Sequence, residues 1–148
     1  AMQALVERGT SANAAANEAS ADWELAASEA SEVRRLVGKI VASDLFRRSA
    51  HAGRRLTELP VLFRDSAGFL VEGKIDLLFE ERGSWVVVDY KTDRWGRSAD
   101  RDSLARERYT PQLQDYTAAV RALGEGIRVG AAWILSARDG EAIPVPLD

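Results

Sequence analysis

The sequence predicts an α/β fold built on a mixed sheet: a three-stranded antiparallel meander, a fourth strand reached by a parallel crossover, and a short fifth strand, with helices on its faces. Three observations predict it. Apolar runs of strand length occupy residues 56–64, 69–81 and 85–92, separated only by Asp65-Ser66-Ala67-Gly68 and Glu81-Arg82-Gly83-Ser84, which are turn chemistry at hairpin length. A helical pattern over 98–123 then precedes a further apolar run at 127–136, and a helix between two strands lets the second lie parallel in the same sheet. The first third is rich in alanine, serine and glutamate and carries no glycine between Gly9 and Gly38, which reads as helix. A chain of 148 residues suits one domain.

Each element has its own signal. From Trp23, apolar side chains recur at Ala26, Ala30, Val33, Val37, Ile40 and Val41, one buried helical stripe within a helical region spanning 13–50. Ser43 and Asp44 can cap a last short helix ending near Arg48. Residues 1–12 read as a frayed start whose Ala1-Met2 resembles an expression scar, leaving 13–148 as the domain and 56–148 as its core. In the second strand, alternation places Val71, Ile75, Leu77 and Phe79 on one face, with Asp76 opposite beside Leu70 and Leu78. Val86-Val87-Val88 marks a third strand covered on both sides. The helix after it is expected to break near Tyr109-Thr110-Pro111, with Pro111 in the first turn of a new helix, and to stop at Gly124 and Gly126. Arg138-Asp139-Gly140 then turns the chain into the strand at 142–145.

Composition removes several chemistries. With no cysteine there is no disulfide scaffold, thiolate zinc site, iron–sulfur cluster or cysteine nucleophile, and with one histidine, His51, no multi-histidine metal site. Any metal must be held mainly by oxygen. No apolar run approaches the ~18 residues of a membrane helix. A net charge of -3 argues against a uniformly basic coat but leaves local patches open.

The informative charges sit on otherwise apolar strands. Asp89 and Lys91 are two apart at the end of the Val86-Val87-Val88 strand and project from one face, and Asp76 lies across a single hairpin from Asp89. A surface ion pair explains Asp89 and Lys91 alone. A second carboxylate beside them calls for more positive charge, which a divalent cation would supply. Glu58 on the preceding strand is a third candidate carboxylate. Gln112 and Tyr116, four apart, share a helix face.

Taken in order, Gly73-Lys74-Ile75-Asp76, Val88-Asp89-Tyr90-Lys91-Thr92 and Gln112-Leu113-Gln114-Asp115-Tyr116 closely resemble the RecB-type nuclease domains of the PD-(D/E)XK superfamily, over about residues 56–136. Glu58-Leu59-Pro60-Val61 matches the strand that precedes these motifs. The chain looks most like the C-terminal nuclease of AddA- and RecB-like helicase-nucleases, and its lack of cysteine separates it from the iron–sulfur branches. The resemblance implies a restriction-endonuclease-like core that hydrolyses DNA phosphodiesters. Asp76, Asp89 and the Tyr90 carbonyl would hold Mg²⁺ or Mn²⁺, with Glu58 as a further ligand. Lys91 would orient or deprotonate the attacking water, and Gln112 and Tyr116 would complete the catalytic set from the helix. One departure stands out. This branch usually carries a Gly-x-x-x-His ligand on an upstream helix, whereas His51 has Arg47 four positions before it and reads as a surface or linker histidine.

Arginines interleaved with aromatic residues follow the third strand, and Arg94, Trp95, Arg97, Arg101, Arg108 and Tyr109 suit sequence-independent contact with single-stranded DNA. Arg47, Arg48, Arg54 and Arg55 form a second basic cluster. No Walker A motif is present, so a helicase motor would lie elsewhere in a parent chain, with a partner helicase-nuclease subunit beside it, in the bacterial cytoplasm. The alternative is a catalytically silent nuclease-fold module that binds DNA or a partner subunit.

Overall fold

The computed structural model describes residues 27–65, 67–94 and 100–147. In chain order these form α1 (Ala27–Ala42), α2 (Asp44–Ala50), β1 (Arg55–Arg64), β2 (Leu70–Glu81), β3 (Ser84–Lys91), α3 (Arg101–Arg121), β4 (Val129–Ser136) and β5 (Ala142–Val145). The expected helix over 13–26, with Trp23 and Ala26, lies outside the described residues, as do Trp95 and Arg97.

The strands form one sheet in the order β1-β2-β3-β4-β5, antiparallel except for the parallel β3–β4 pair. β3 is therefore central, which is why Val86, Val87 and Val88 are all buried. α3 packs on one face over Val61, Ile75, Leu78, Val87 and Ile134, while α1 and α2 cover Leu77, Phe79, Val86, Val88 and Leu135 on the other. Along α1, Ala30, Val37 and Ile40 are buried, as the stripe predicts. Ser43 caps α2 by accepting from the Phe46 N–H at 3.2 Å.

Two expectations need correction. α3 is one continuous helix with Pro111 inside it, not two helices meeting there. Proline lacks the N–H that would bond four residues back and ordinarily costs a helix ~3 kcal/mol. Here Ala105, Leu113, Tyr116 and Val120 bury the flanking turns against the sheet, and that packing holds the helix through the defect.

The second correction concerns β2. Ile75 belongs with the α3-side core, whereas Leu77 and Phe79 belong to the α1–α2 side, so the expected common face does not exist. The change of face occurs at one rung. Leu59 pairs with Ile75 and Thr57 with Leu77, leaving Glu58 and Asp76 between them. Glu58 has φ +50°, the left-handed region that a residue with a β-carbon adopts only against a steric cost. A single residue taken out of extended geometry re-aims the side chains beyond it, as a bulge does. The β1–β2 ribbon thus turns over at Glu58 and Asp76.

Candidate active site

Asp76 stands where β2 and β3 part. Their last paired rung is Leu77 with Val88, and the Tyr90 N–H beyond it donates instead to Asp76 Oδ2 at 2.7 Å. Burial pushes the Asp76 carboxyl up to about 6, against the Tyr90 hydrogen bond and with the help of the neighbouring Asp89 charge. Asp89 is only 3% exposed. Burial raises its carboxyl too, opposed by Lys91 and by a hydrogen bond with Asp76. Two desolvated carboxyls this close hold negative charge less readily than free acids do.

Lys91 comes from the same strand. Its Nζ lies 2.5 Å from Asp89 Oδ2, a charge contact that gives this oxygen no hydrogen bond of sound geometry. Nζ also donates to Gln112 Oε1 at 2.9 Å and lies 4.3 Å from the centre of the Tyr109 ring. Gln112 Nε2 in turn donates to the Tyr116 hydroxyl at 3.0 Å. Tyr116 meets Phe63 edge to face, with ring centres 6.2 Å apart. One face of α3 therefore orients the lysine through a short polar chain, and four of the expected catalytic side chains are joined directly: Asp89, Lys91, Gln112 and Tyr116. Asp76 joins them through Asp89.

On the other side of Asp76 lies a pocket of about 260 Å³ walled by Val33, Leu36, Val37 and Ile40 of α1. The wall is apolar. Among the described residues no group of three Asp, Glu, His or Cys side chains gathers to hold a metal. Glu58, expected as a third carboxylate ligand, instead has Oε2 3.5 Å from Lys74 Nζ. His51 turns its Nδ1 to the Arg47 carbonyl at 2.8 Å and closes α2. The donors at the site are thus two buried carboxyls with raised proton affinity, one of them against the Lys91 ammonium. That donor set fits a hard divalent cation, whose charge would favour the ionised form of both acids.

The residues expected to contact DNA are divided. Arg94 is exposed just beyond β3. Arg101 is not presented to solvent: it is 17% exposed and bound to Asp139 at 2.7 Å and Glu141 at 3.0 Å, pinning the start of α3 to the β4–β5 turn. Arg108 is exposed, 3.3 Å from Asp93. Burial, with the hydrogen bond that the Tyr109 hydroxyl donates to Asp93 at 2.6 Å, pushes the phenol up to about 12, and the ring lies as a floor under Lys91. In the second basic cluster, Arg48 pairs with Glu81 at 2.6 Å and Arg54 with Glu80 at 3.6 Å.

Sequence reasoning left three residues without a role. Asp93 anchors Tyr109 and Arg108 from two positions past Lys91. Lys74 faces Glu58. Gly73 is where Tyr116 rests, and a β-carbon there would lie 2.8 Å from Tyr116 Cε1. The glycine three positions before the acid was the available signal, since a glycine inside a strand marks a close approach.

A sheet that parts at one acid, with a second acid and a lysine on the central strand and a helix amide over them, is the arrangement of a nuclease core. The chain belongs to the PD-(D/E)XK nuclease superfamily, whose family model matches residues 1–144. It is similar to the A subunit of the ATP-dependent helicase/nuclease of Exiguobacterium sibiricum, with 30% identity over 127 residues, covering 69% of this chain and 11% of that protein. The same-named proteins of Staphylococcus saprophyticus and Listeria monocytogenes serovar 1/2a are 30% identical over 91 residues and 36% identical over 69 residues. These matches cover 51% and 44% of this chain, and 8% and 6% of those proteins. The chain thus spans a small part of these relatives' length. No helix among the described residues is long and apolar enough to cross a membrane.

Proposed function

We propose that this domain hydrolyses DNA phosphodiester bonds with Mg²⁺ or Mn²⁺ bound by Asp76, Asp89 and the Tyr90 carbonyl. The observation that carries the reading is the coupled carboxyl pair with Lys91 against it, at the point where the sheet opens. When bound, the cation polarises the phosphoryl oxygen and lowers the pKa of its water. The chain's own residues do the rest. Asp89 would hold the cation beside Lys91, whose ammonium it contacts. Lys91, steadied by Gln112 and floored by Tyr109, orients the attacking water and stabilises charge developing on the phosphate. Tyr116 fixes the Gln112 amide, so its part is positioning.

In this reading the substrate is DNA read without sequence preference, delivered as a single strand by a helicase motor in the parent chain and processed beside a partner subunit. The work belongs to double-strand-break repair and recombination in the bacterial cytoplasm. A labelled single strand incubated with Mg²⁺ or Mn²⁺ tests it, with Lys91→Ala as the inactive control. Cleavage by the wild type that the variant also shows would mean a contaminant.

One observation favours a second reading. α1 turns Val33, Leu36, Val37 and Ile40 toward Asp76 and offers it no ligand. A nuclease-fold module that binds DNA or a partner subunit without cutting is consistent with that wall, and would bind the strand while leaving it intact with either metal.

A further inference from the structure

Lys74 sits two residues before Asp76 on β2, so the alternating pleat places the two about 7 Å apart along the strand, on the scale of one nucleotide step. Its ammonium is one of the charges that act on the Asp76 carboxyl, and its side chain is 56% exposed, against 16% for Lys91. Gly73 and Ile75 on either side face α3. Lys74 therefore projects from the opposite, open face of the ribbon, where residues 59–64 and 70–75 extend past the last β3 rung.

The partner it has is a strained one. Glu58 adopts φ +50° at the rung opposite Asp76, and its carboxylate rests 3.5 Å from the Lys74 ammonium. A pair at that distance whose lysine is exposed and whose glutamate is half-buried contributes little to folding. Strain held at a residue that adds so little stability calls for a reason at the site. Two arginines of the stretch that follows β3 are meanwhile bound elsewhere: Arg101 to Asp139 and Glu141, and Arg106 to the Pro144 carbonyl at 3.0 Å.

From this we infer that Lys74 binds the DNA phosphate one nucleotide from the phosphate under attack, exchanging Glu58 for the backbone, so that the strand lies along the open face of the β1–β2 ribbon. The inference rests on the nuclease reading above and adds to it the direction of the substrate strand. Lys74 acts in binding, and its charge repels the metal.

The test is binding of a fluorescent single-stranded oligonucleotide to the 148-residue chain in Ca²⁺, measured by anisotropy across a salt series, with turnover then measured in Mg²⁺. Lys74→Ala is expected to weaken binding about 3- to 10-fold and to reduce the slope of log affinity against log salt by about 0.7, the value for one phosphate contact on a single strand. The loss appears in KM more than in kcat, and Lys74→Arg restores it. Mn²⁺ affinity, measured by calorimetry, does not fall in Lys74→Ala, whereas a collapsed site would lose it. Wild-type binding with an unchanged salt slope in Lys74→Ala overturns this inference alone. Wild type that neither binds nor cuts the strand overturns the nuclease reading with it.

Discussion

Tyr116 lies so close over Gly73 that a β-carbon at position 73 would stand 2.8 Å from its Cε1 and 3.2 Å from its hydroxyl. A strand glycine and a helix tyrosine far along the chain are thus one feature, and it sets how low α3 rides over the site. Gly73→Ala must push the ring away, stretching the Tyr116–Gln112–Lys91 chain. The expected result is a destabilisation of about 1–3 kcal/mol by denaturant titration, as for other overpacked sites, with a larger loss of turnover than of DNA affinity. Tyr116→Phe keeps the ring and removes only the hydroxyl, so it retains stability and loses the smaller share of activity.

Asp76 gives the metal-free domain an inverted dependence on pH. Its folded-state carboxyl titrates at about 6 against 3.8 for the free group. Between these values the folded chain binds a proton that the unfolded chain does not, so stability falls as pH rises from about 4 to 6 and stays lower above. Asp76→Asn removes this effect. It should be more stable than wild type at about pH 7.5 by on the order of 2 kcal/mol and nearly equal to it at about pH 4, by urea unfolding in EDTA. Added Mn²⁺ should stabilise wild type at the higher pH and leave Asp76→Asn unmoved.

Gln112 receives Lys91 and holds Tyr116. Gln112→Ala leaves the ammonium its Asp89 contact and the Tyr109 ring but removes the acceptor that aims it. Turnover should drop about 10-fold or more with single-strand affinity within two-fold of wild type. An equal loss in both would assign Gln112 to substrate binding.

Gly140 has φ +80°, and a β-carbon on it would meet the Lys39 carbonyl of α1 at 2.8 Å. Gly140→Ala therefore incurs both a conformational and a steric penalty. A loss of about 2–4 kcal/mol by denaturant titration is expected from the strain and the clash together, and because the Ala137 N–H of this turn donates to the Lys91 carbonyl at 2.9 Å, turnover should fall as well.

Most of the architecture was legible because its signals are local. Turn residues separate the first three strands, the Val86-Val87-Val88 run marks the central one, and a helix before β4 licenses the parallel pair. Asp89 and Lys91 followed from a period of two on a single strand. What sequence could not give was anything decided by tertiary packing: the passage of α3 through Pro111, and the change of face at Glu58 and Asp76. No residue type announces a left-handed glutamate in the middle of a strand. Nor does arginine composition reveal which guanidiniums are already engaged, as Arg101 is by Asp139 and Glu141.

The turnover of the ribbon at Glu58 and Asp76 divides the tuning of the site between two hydrophobic compartments. Lys91, Gln112 and Tyr116 hang from the side packed by Leu113, Val120 and Val87, while Asp76 opens toward the side packed by Val37, Ile40 and α1. A methyl group added or removed under α3 would shift the ammonium and its amide, and one under α1 would shift the acid. Core substitutions far from any charge can therefore move Asp76 and the Lys91–Gln112–Tyr116 chain by different amounts, with Asp89 as the link between them.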